Sequence, residues 1–421
     1  MIRYLCVLYV LILLSGCEGQ RKLSNQNLAY LYTPTLNFIY PGYRICNIQP
    51  DTSRVFFSIN PAELLFMKSN EDGMFKASVA ITYTIMRNYE SKVPVDSATV
   101  YFDYDQDSSE SWMIDDHIDV YAPDSADYII QLILTDLNRQ QAVASFYPID
   151  RTGFQSAQDF MVIDAVSGKP YLSNITNTDL TVKLLNSNSS QPKIYLRYFK
   201  SGFPLSKPPF SDAVSKPLNY RADETYVVDM EAGETIHLDK EGIYHFQYDT
   251  LIKEGFTLFR FEEDFPRLTS ADNLIESIRF LTTREEFDKI LVSKDKKEAV
   301  DEYWLSMAGN RERARVLIKS YYSRVQHANN FFTSYLEGWK SDKGLIYIIF
   351  GPPSSIYRNS MTETWNYSQI SNYGPLSFTF DKLNNPFSSN DYQLRRSNYY
   401  ELPWYRAVDS WRDGRVVNDN Y

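Results

Sequence analysis

Gly338-Trp-Lys-Ser-Asp-Lys-Gly-Leu-Ile-Tyr-Ile-Ile-Phe-Gly-Pro-Pro353 is the stretch on which the reading of the fold turns. Gly338 suits the end of a helix in a left-handed conformation. Trp339 has a large apolar body to bury and an indole N–H that needs a partner. Ser341 or Asp342 can bond nearby backbone N–H groups and fix a turn. Leu345 to Phe350 is a short apolar run, read as a buried strand that Gly344 opens and Gly351-Pro352-Pro353 stops. Every position has a structural use, so the stretch reads first as a folding signature and second as part of a binding or catalytic site.

Before it, Asn310 to Thr333 carries Ala314, Leu317, Ile318, Tyr321, Val325 and Ala328 on one stripe, the pattern of a long helix that Asn310 can cap. Ser270–Leu281, Thr283–Val292 and Ser293–Ala308 read as shorter helices. After it, Thr362–Tyr367, Leu376–Leu383 and Tyr392–Leu394 read as strands, so residues 270–421 form an α+β domain. Further back the period changes to two. Phe75, Ala77, Val79, Ile81, Tyr83 and Ile85 alternate with more polar residues, as in a strand with one buried face. Short strands at regular spacing predict two tandem all-β immunoglobulin-like sandwiches, at 45–150 and 157–266. In the second, Thr235–Leu238 and Gly242–Asp249 read as a hairpin. Asp239 to Phe246 resembles a tyrosine corner, with an echo around Tyr128 in the first. Gly202 to Pro217, with four prolines, is a loop.

The 338–353 stretch is similar to the GWxTD domain, a family of exported bacterial proteins common among Bacteroidota lipoproteins. Gly338, Trp339, Asp342, Gly344, Gly351 and Pro353 match its pattern, and Ser341 stands where the family has Thr, keeping the hydroxyl. Glu363-Thr-Trp365-Asn-Tyr367 resembles the family's aromatic strand, and the resemblance covers about 280–421. It implies an exported protein with sandwiches ahead of the domain, and no biochemical activity comes with it.

The beginning of the chain agrees with export. Arg3 precedes an apolar run, Leu5 to Leu14, and then Ser15, Gly16 and Cys17. That run is shorter than the ~20 residues a membrane span needs. It is a secretory leader over 1–16, and Leu14-Ser-Gly-Cys17 resembles a lipobox with Cys17 as the residue that takes fatty acyl chains such as palmitate. Two or three chains hold a protein firmly where one does so marginally. Residues 17–44 are expected to be tether and linker. Of the three cysteines, Cys6 leaves with the leader and Cys17 carries lipid, so Cys46 has no intrachain partner.

A formal net charge of −10 speaks against nucleic acid as a partner. No nucleophile elbow, phosphate loop or His-Glu-x-x-His pattern occurs, and no catalytic set, cofactor or metal is expected. Four weaker constellations were weighed. His237 and His245 would face each other across a hairpin. Asp115, Asp116 and Asp119 surround His117 near Trp112, most simply in a solvated loop. Asp103, Asp105 and Asp107 alternate without the glycine and glutamate of a calcium loop. Ser97, Ser125 and Thr250 sit in Asp-Ser/Thr-apolar triplets that resemble an O-glycosylation signal of exported proteins.

Two functions are carried forward. One is a non-catalytic envelope protein, held at the outer membrane by lipid and facing the periplasm, whose sandwiches carry the last domain out to an envelope protein or glycan. The other is a hydrolase of envelope polymers using Asp342 and Glu363 near an aromatic wall; glycoside hydrolysis needs two carboxyls ~5–10 Å apart.

Overall fold

A computed structural model describes residues 22–34, 38–69, 73–106, 113–123, 125–153, 156–186, 191–212, 219–368 and 375–417. The leader 1–16 and Cys17 lie outside the described residues, as do Asp107, Trp112 and Asp124.

Alternation in the first part becomes two antiparallel sheets. β1 (Gly42–Gln49), β2 (Thr52–Ile59) and β6 (Ile114–Tyr121) form one; in the other, β4 (Phe75–Met86) pairs with β3 (Met67–Lys68), β5 (Asp96–Asp105) and β7 (Asp127–Asp136), and β7 with β8 (Gln141–Asp150). Val55, Phe57 and Ile59 from one sheet and Val79, Ile81, Ile130, Leu132 and Leu134 from the other share a single core. The segment around His117 is therefore a strand and not a loop: Ile114, Ile118 and Val120 turn inward while Asp115, His117 and Asp119 turn outward, and half-buried Asp116 shares the inward face, accepting from Tyr104 Oη.

The second part also has two sheets. β10 (Ile175–Thr176), β16 (Phe256–Arg260), β15 (Gly242–Gln247), β12 (Lys193–Lys200) and β13 (Glu224–Asp229) form the larger, in that order. The smaller is β14 (Ile236–Leu238), β11 (Leu180–Asn186) and β9 (Phe160–Asp164). β14 and β15 are not a hairpin: β14 pairs with β11 and β15 with β12 and β16, because the chain crosses between layers after Leu238. Tyr244 Oη donates to the Lys240 carbonyl at 2.9 Å, and Tyr128 Oη to the Pro123 carbonyl at 2.9 Å, so the two parts carry the same tyrosine-to-backbone tie. Arg44 and Asn47 of β1 bond Asn174 and Asp159 across the junction between the parts.

The last part holds six helices among the described residues, α1 (Ala271–Ser277), α2 (Arg284–Leu291), α3 (Lys296–Ala308), α4 (Arg311–Phe332), α5 (Asp342–Phe350) and α6 (Glu401–Arg412). They accompany an antiparallel sheet of β17 (Ser355–Arg358), β18 (Thr362–Tyr367), β19 (Leu376–Lys382) and β20 (Tyr392–Leu394). Caps act where the sequence offers them: Asn310 accepts from Arg313 N, and Thr283 with Glu286 makes a capping box. The long helix is as expected, but the strand at Leu345–Phe350 is not. Those residues belong to α5, a helix buried at every residue. Its neighbours are aromatic: Tyr347 meets Phe332, and Phe350 meets Tyr367, Phe378 and Trp404. A helix apolar on all sides belongs at the centre of a domain. Among the described residues no helix is long and apolar enough to cross a membrane.

The expectation of a tether fails from Lys22 onward. Leu23–Asn25 and Ala29–Tyr32 form short 3-10 turns, with Leu23, Leu28 and Tyr32 buried. Leu28 N donates to the Ile356 carbonyl at 2.9 Å, and the Asn27 side chain accepts from Ile356 N at 3.0 Å. Leu28 and Tyr32 anchor residues 28–32 to the core of the last part, while Leu23 packs on Met86 and Tyr89 at the end of β4, so the segment is held by both the last part and the first sandwich.

Candidate functional site

The 338–353 stretch works as a tight backbone crossing. Gly338 does not end α4, which stops at Phe332; it begins a 3-10 turn, Gly338–Lys340, pressed against α4. A Cβ there would lie 1.9 Å from the Ala328 carbonyl oxygen, and one at Gly344 would lie 2.0 Å from the Gly338 oxygen. Both glycines are demanded by closeness of backbones, not by a strand. Trp339 is fully buried; its backbone N–H donates to Asn329 Oδ1 at 3.1 Å, and its indole N–H has no hydrogen-bond acceptor among the described residues. Ser341 caps α5: its hydroxyl accepts from Gly344 N at 3.0 Å and donates to the Gly338 carbonyl at 2.6 Å. Gly351 closes the helix with φ +79, its carbonyl accepting from Tyr367 Oη at 2.9 Å, and Pro353 is buried behind it.

Asp342 does not fix the local turn. Its carboxylate accepts from Leu394 N at 2.7 Å and from Arg396 at 2.5 and 3.0 Å, tying the start of α5 to the far edge of the sheet. A forked guanidinium on a carboxylate is the stronger kind of ion pair.

A second charged cluster lies under the sheet. Residues alternate in β18, so Glu363, Trp365 and Tyr367 share the inward face. Glu363 is 0% exposed. Arg358 Nε stands 2.6 Å from one oxygen and Lys343 Nζ 3.0 Å from the other, while Trp365 Nε1 donates to it at 2.7 Å and Tyr32 Oη at 3.2 Å. Arg358 also donates to Tyr32 Oη at 2.7 Å, and Lys343 Nζ lies 3.3 Å from the centre of the Tyr392 ring. Burial alone would push the Glu363 carboxyl up, but Arg358 and Lys343 outweigh it and hold it down at about 2. Burial pulls the Lys343 ammonium down to about 7, with Glu363 opposing.

Residues 242–413 match the family model of the GWxTD domain. The chain carries a GWxTD domain. No curated protein matches the chain. The match begins well before the expected boundary at 270 and takes in β15 and β16, and the packing gives a reason. Ile243, Phe259 and Phe261 of that region cluster with Phe387, so the last strands of the second sandwich are walls of the GWxTD domain.

The two carboxylates that an enzymic reading would use are thus sequestered, Asp342 at 7% and Glu363 at 0% exposure, each with cationic partners. A concave cleft of the domain lies elsewhere, between α3 and α4. Asp295, Glu298, Asp301 and Glu302 line it together with Lys297, Arg311 and Arg315, and neither Asp342 nor Glu363 reaches it.

The remaining candidates disperse. His237 is exposed and bonds Thr181 in one sheet. His245, fully buried in the other, sits between Thr257 Oγ1 at 2.8 Å and the Lys253 carbonyl at 3.2 Å, and burial lowers its pKa to about 4. Asp115, Asp116 and Asp119 each have a separate partner, Lys169, Tyr104 and Arg54. Asp103 bonds Ser78 and Asp105 faces Lys76. Among the described residues no three His, Cys, Asp or Glu side chains gather as metal ligands do. Ser97, Ser125 and Thr250 are exposed, Ser97 within β5 rather than in a turn. Cys46 is buried, its sulfur 3.8 Å from the Phe160 carbonyl, and burial raises its pKa, which suits an inert thiol.

Sequence reading missed Lys343, Arg358, Tyr32, Tyr392 and Arg396. One signal for them was present. A glutamate on the same alternating face as Trp365 and Tyr367 requires buried cations.

Proposed function

We propose that this is a lipid-anchored envelope protein, acylated on Cys17 at the outer membrane and facing the periplasm, that acts by binding or scaffolding an envelope protein or glycan rather than by catalysis. The observation that carries this reading is the burial and pairing of Asp342 and Glu363: a general acid or nucleophile must touch substrate, and these side chains touch Arg396, Arg358 and Lys343. The paired tyrosine ties at Tyr128 and Tyr244 support immunoglobulin-like character for the two sandwiches. Such sandwiches offer broad outer faces for partners. On the outer face of the larger sheet, Val227 of β13 is exposed beside its cross-strand neighbour Tyr195 of β12.

The test is crosslinking in intact cells, followed by purification of the tagged full chain and identification of what is joined to it. A discrete partner, lost when Tyr195 and Val227 are both changed to Ser in a chain that still melts normally, supports the reading. Turnover of an envelope glycan by the purified chain, abolished by Asp342→Asn or Glu363→Gln without loss of folding, would replace it with the hydrolase reading.

A further inference from the structure

The burial of Leu23 bears on which end of the molecule an acylated Cys17 would bring to the lipid. Only five residues lie between Cys17 and Leu23. Whatever conformation they take, they reach no more than ~20 Å. Leu23 is buried against Met86 and Tyr89, at the end of β4. Ser24 N donates to the Tyr89 carbonyl at 2.9 Å. The next segment to meet it is the β17–β18 turn: Ser360 donates from both N and Oγ to the Glu90 carboxylate, at 3.2 and 2.9 Å. The 87–95 turn and the 359–361 turn therefore lie together beside the point of attachment.

Both turns present a large apolar side chain to solvent, Val93 at 71% and Met361 at 68% exposure. Basic residues accompany them: Arg87 and Lys92 are exposed, and Arg21 and Lys22 lie between the anchor and Leu23. Within the two turns the acidic residue is Glu90, which Ser360 occupies; on the adjoining strand ends Asp96 accepts from Tyr83 and Tyr121, Asp381 pairs with Arg395, and Asp127 lies near Lys382. The two tips are thus apolar and flanked by the exposed cations Arg87 and Lys92, which suits the phosphates and upper acyl region of an anionic leaflet.

Resting on the proposed acylation of Cys17, we infer that the 87–95 and 359–361 turns form a membrane-contacting face. The lipid surface is its occupant. The GWxTD domain then sits at the membrane with its β17–β18 turn down, and the first sandwich stands away from it along β4. That strand has twelve residues, and its far end, at Met74, is ~40 Å from the face.

The experiment uses the full lipidated chain with a fluorophore on a cysteine introduced as Val93→Cys, Met361→Cys or Met74→Cys. Met74 is 51% exposed, so all three sites accept label, while buried Cys46 does not and the parent chain measures any background. Protein is reconstituted in vesicles of phosphatidylethanolamine and phosphatidylglycerol containing a lipid with a nitroxide headgroup. Emission from Val93→Cys and Met361→Cys should be quenched severalfold more than from Met74→Cys. Equal quenching at the three sites, or stronger quenching at Met74→Cys, on a chain that remains vesicle-bound overturns the orientation and leaves the anchor reading intact. A chain that carries no acyl group and washes off the vesicles overturns the anchor reading, and this inference with it.

Discussion

Glu363→Gln separates a structural carboxylate from a working one more sharply than any other single change. The substitution keeps the shape and removes the charge. In the parent, one buried carboxylate balances Arg358 at 2.6 Å and Lys343 at 3.0 Å and accepts from Trp365 and Tyr32. Glutamine can still accept from Trp365, but Lys343, 2% exposed, and Arg358, 13% exposed, lose their anion. Breaking a buried ion pair by removing one partner costs ~3–5 kcal/mol. For a cooperative unit of ~150–250 residues, each kcal/mol moves the melting midpoint by ~2–4 °C, so the GWxTD domain should melt ~6–20 °C lower.

The pH dependence has a definite sign. Glu363 titrates at about 2 in the folded chain, below its ordinary value. Its contribution is therefore complete above ~4.5 and is lost as pH falls from there through about 2. Lys343 is held down to about 7 against an ordinary value near 10.5. Between those values the unfolded chain binds more protons, so this group makes stability rise as pH increases from about 7 toward ~10. Circular dichroism melts of the full chain at pH 3, 7 and 9 read both effects. A Glu363→Gln protein that melts within ~2 °C of the parent and has lost its cellular function would refute the structural reading, since that is how a catalytic carboxylate behaves.

Other expected outcomes follow from the same contacts. Trp339→Ala should cost ~3–5 kcal/mol, as for other core aromatics, and unfold the GWxTD domain in thermal melts while the first sandwich stays intact. Asp342→Asn keeps an acceptor for Leu394 N but leaves the Arg396 guanidinium without its anion, so it should cost up to ~3–5 kcal/mol; a melt within ~2 °C of the parent would contradict this. Residues 270–421 alone should fail to give a cooperative melt, lacking Leu28, Tyr32 and the β15–β16 wall; a sharp transition equal to that of the full chain would show the amino-terminal segment to be dispensable. Cys17→Ser should abolish metabolic labelling with a fatty acid, and Cys46 should be found free by thiol-blocking mass spectrometry of the folded monomer.

The legible parts of the sequence were those where a single local period governs. Phe75–Met86 alternates over twelve residues and is a strand over that same range. The stripe from Ala314 to Ala328 is the buried face of α4. Leu345–Phe350 misled because six consecutive apolar residues carry no period, and a short buried strand and a short buried helix look alike. Helix signals were nevertheless present, with Ser341 as cap, Asp342 in the first turn and Gly351 at the end. α6 was unforeseen because Pro403 argues against a helix, although in the first turn, where no N–H is needed, it is harmless. The Glu363 cluster was half legible. The inward face of β18 declared a buried charge, but no local rule joins Tyr32 to Glu363 across 331 positions.

That long-range contact changes how the motif should be understood. The family pattern lies within residues 338–353, yet the cluster beneath it is completed by a tyrosine from the chain's beginning. Tyr347 of α5 donates to the Tyr32 carbonyl at 3.1 Å, and Lys343, one turn earlier on the same helix, pairs with the carboxylate that Tyr32 also reaches. α5 therefore holds the amino-terminal segment through both backbone and side chain. The closeness demanded at Gly338 and Gly344 places α5 at the depth where these contacts meet. A pull on this segment would meet Leu23 and Ser24 at Met86 and Tyr89 first, and then Tyr32 at the buried Glu363 cluster, rather than being absorbed by a slack linker. The glycines, the capping serine and the buried lysine thus form one device, which fastens the start of the chain into the core of the GWxTD domain.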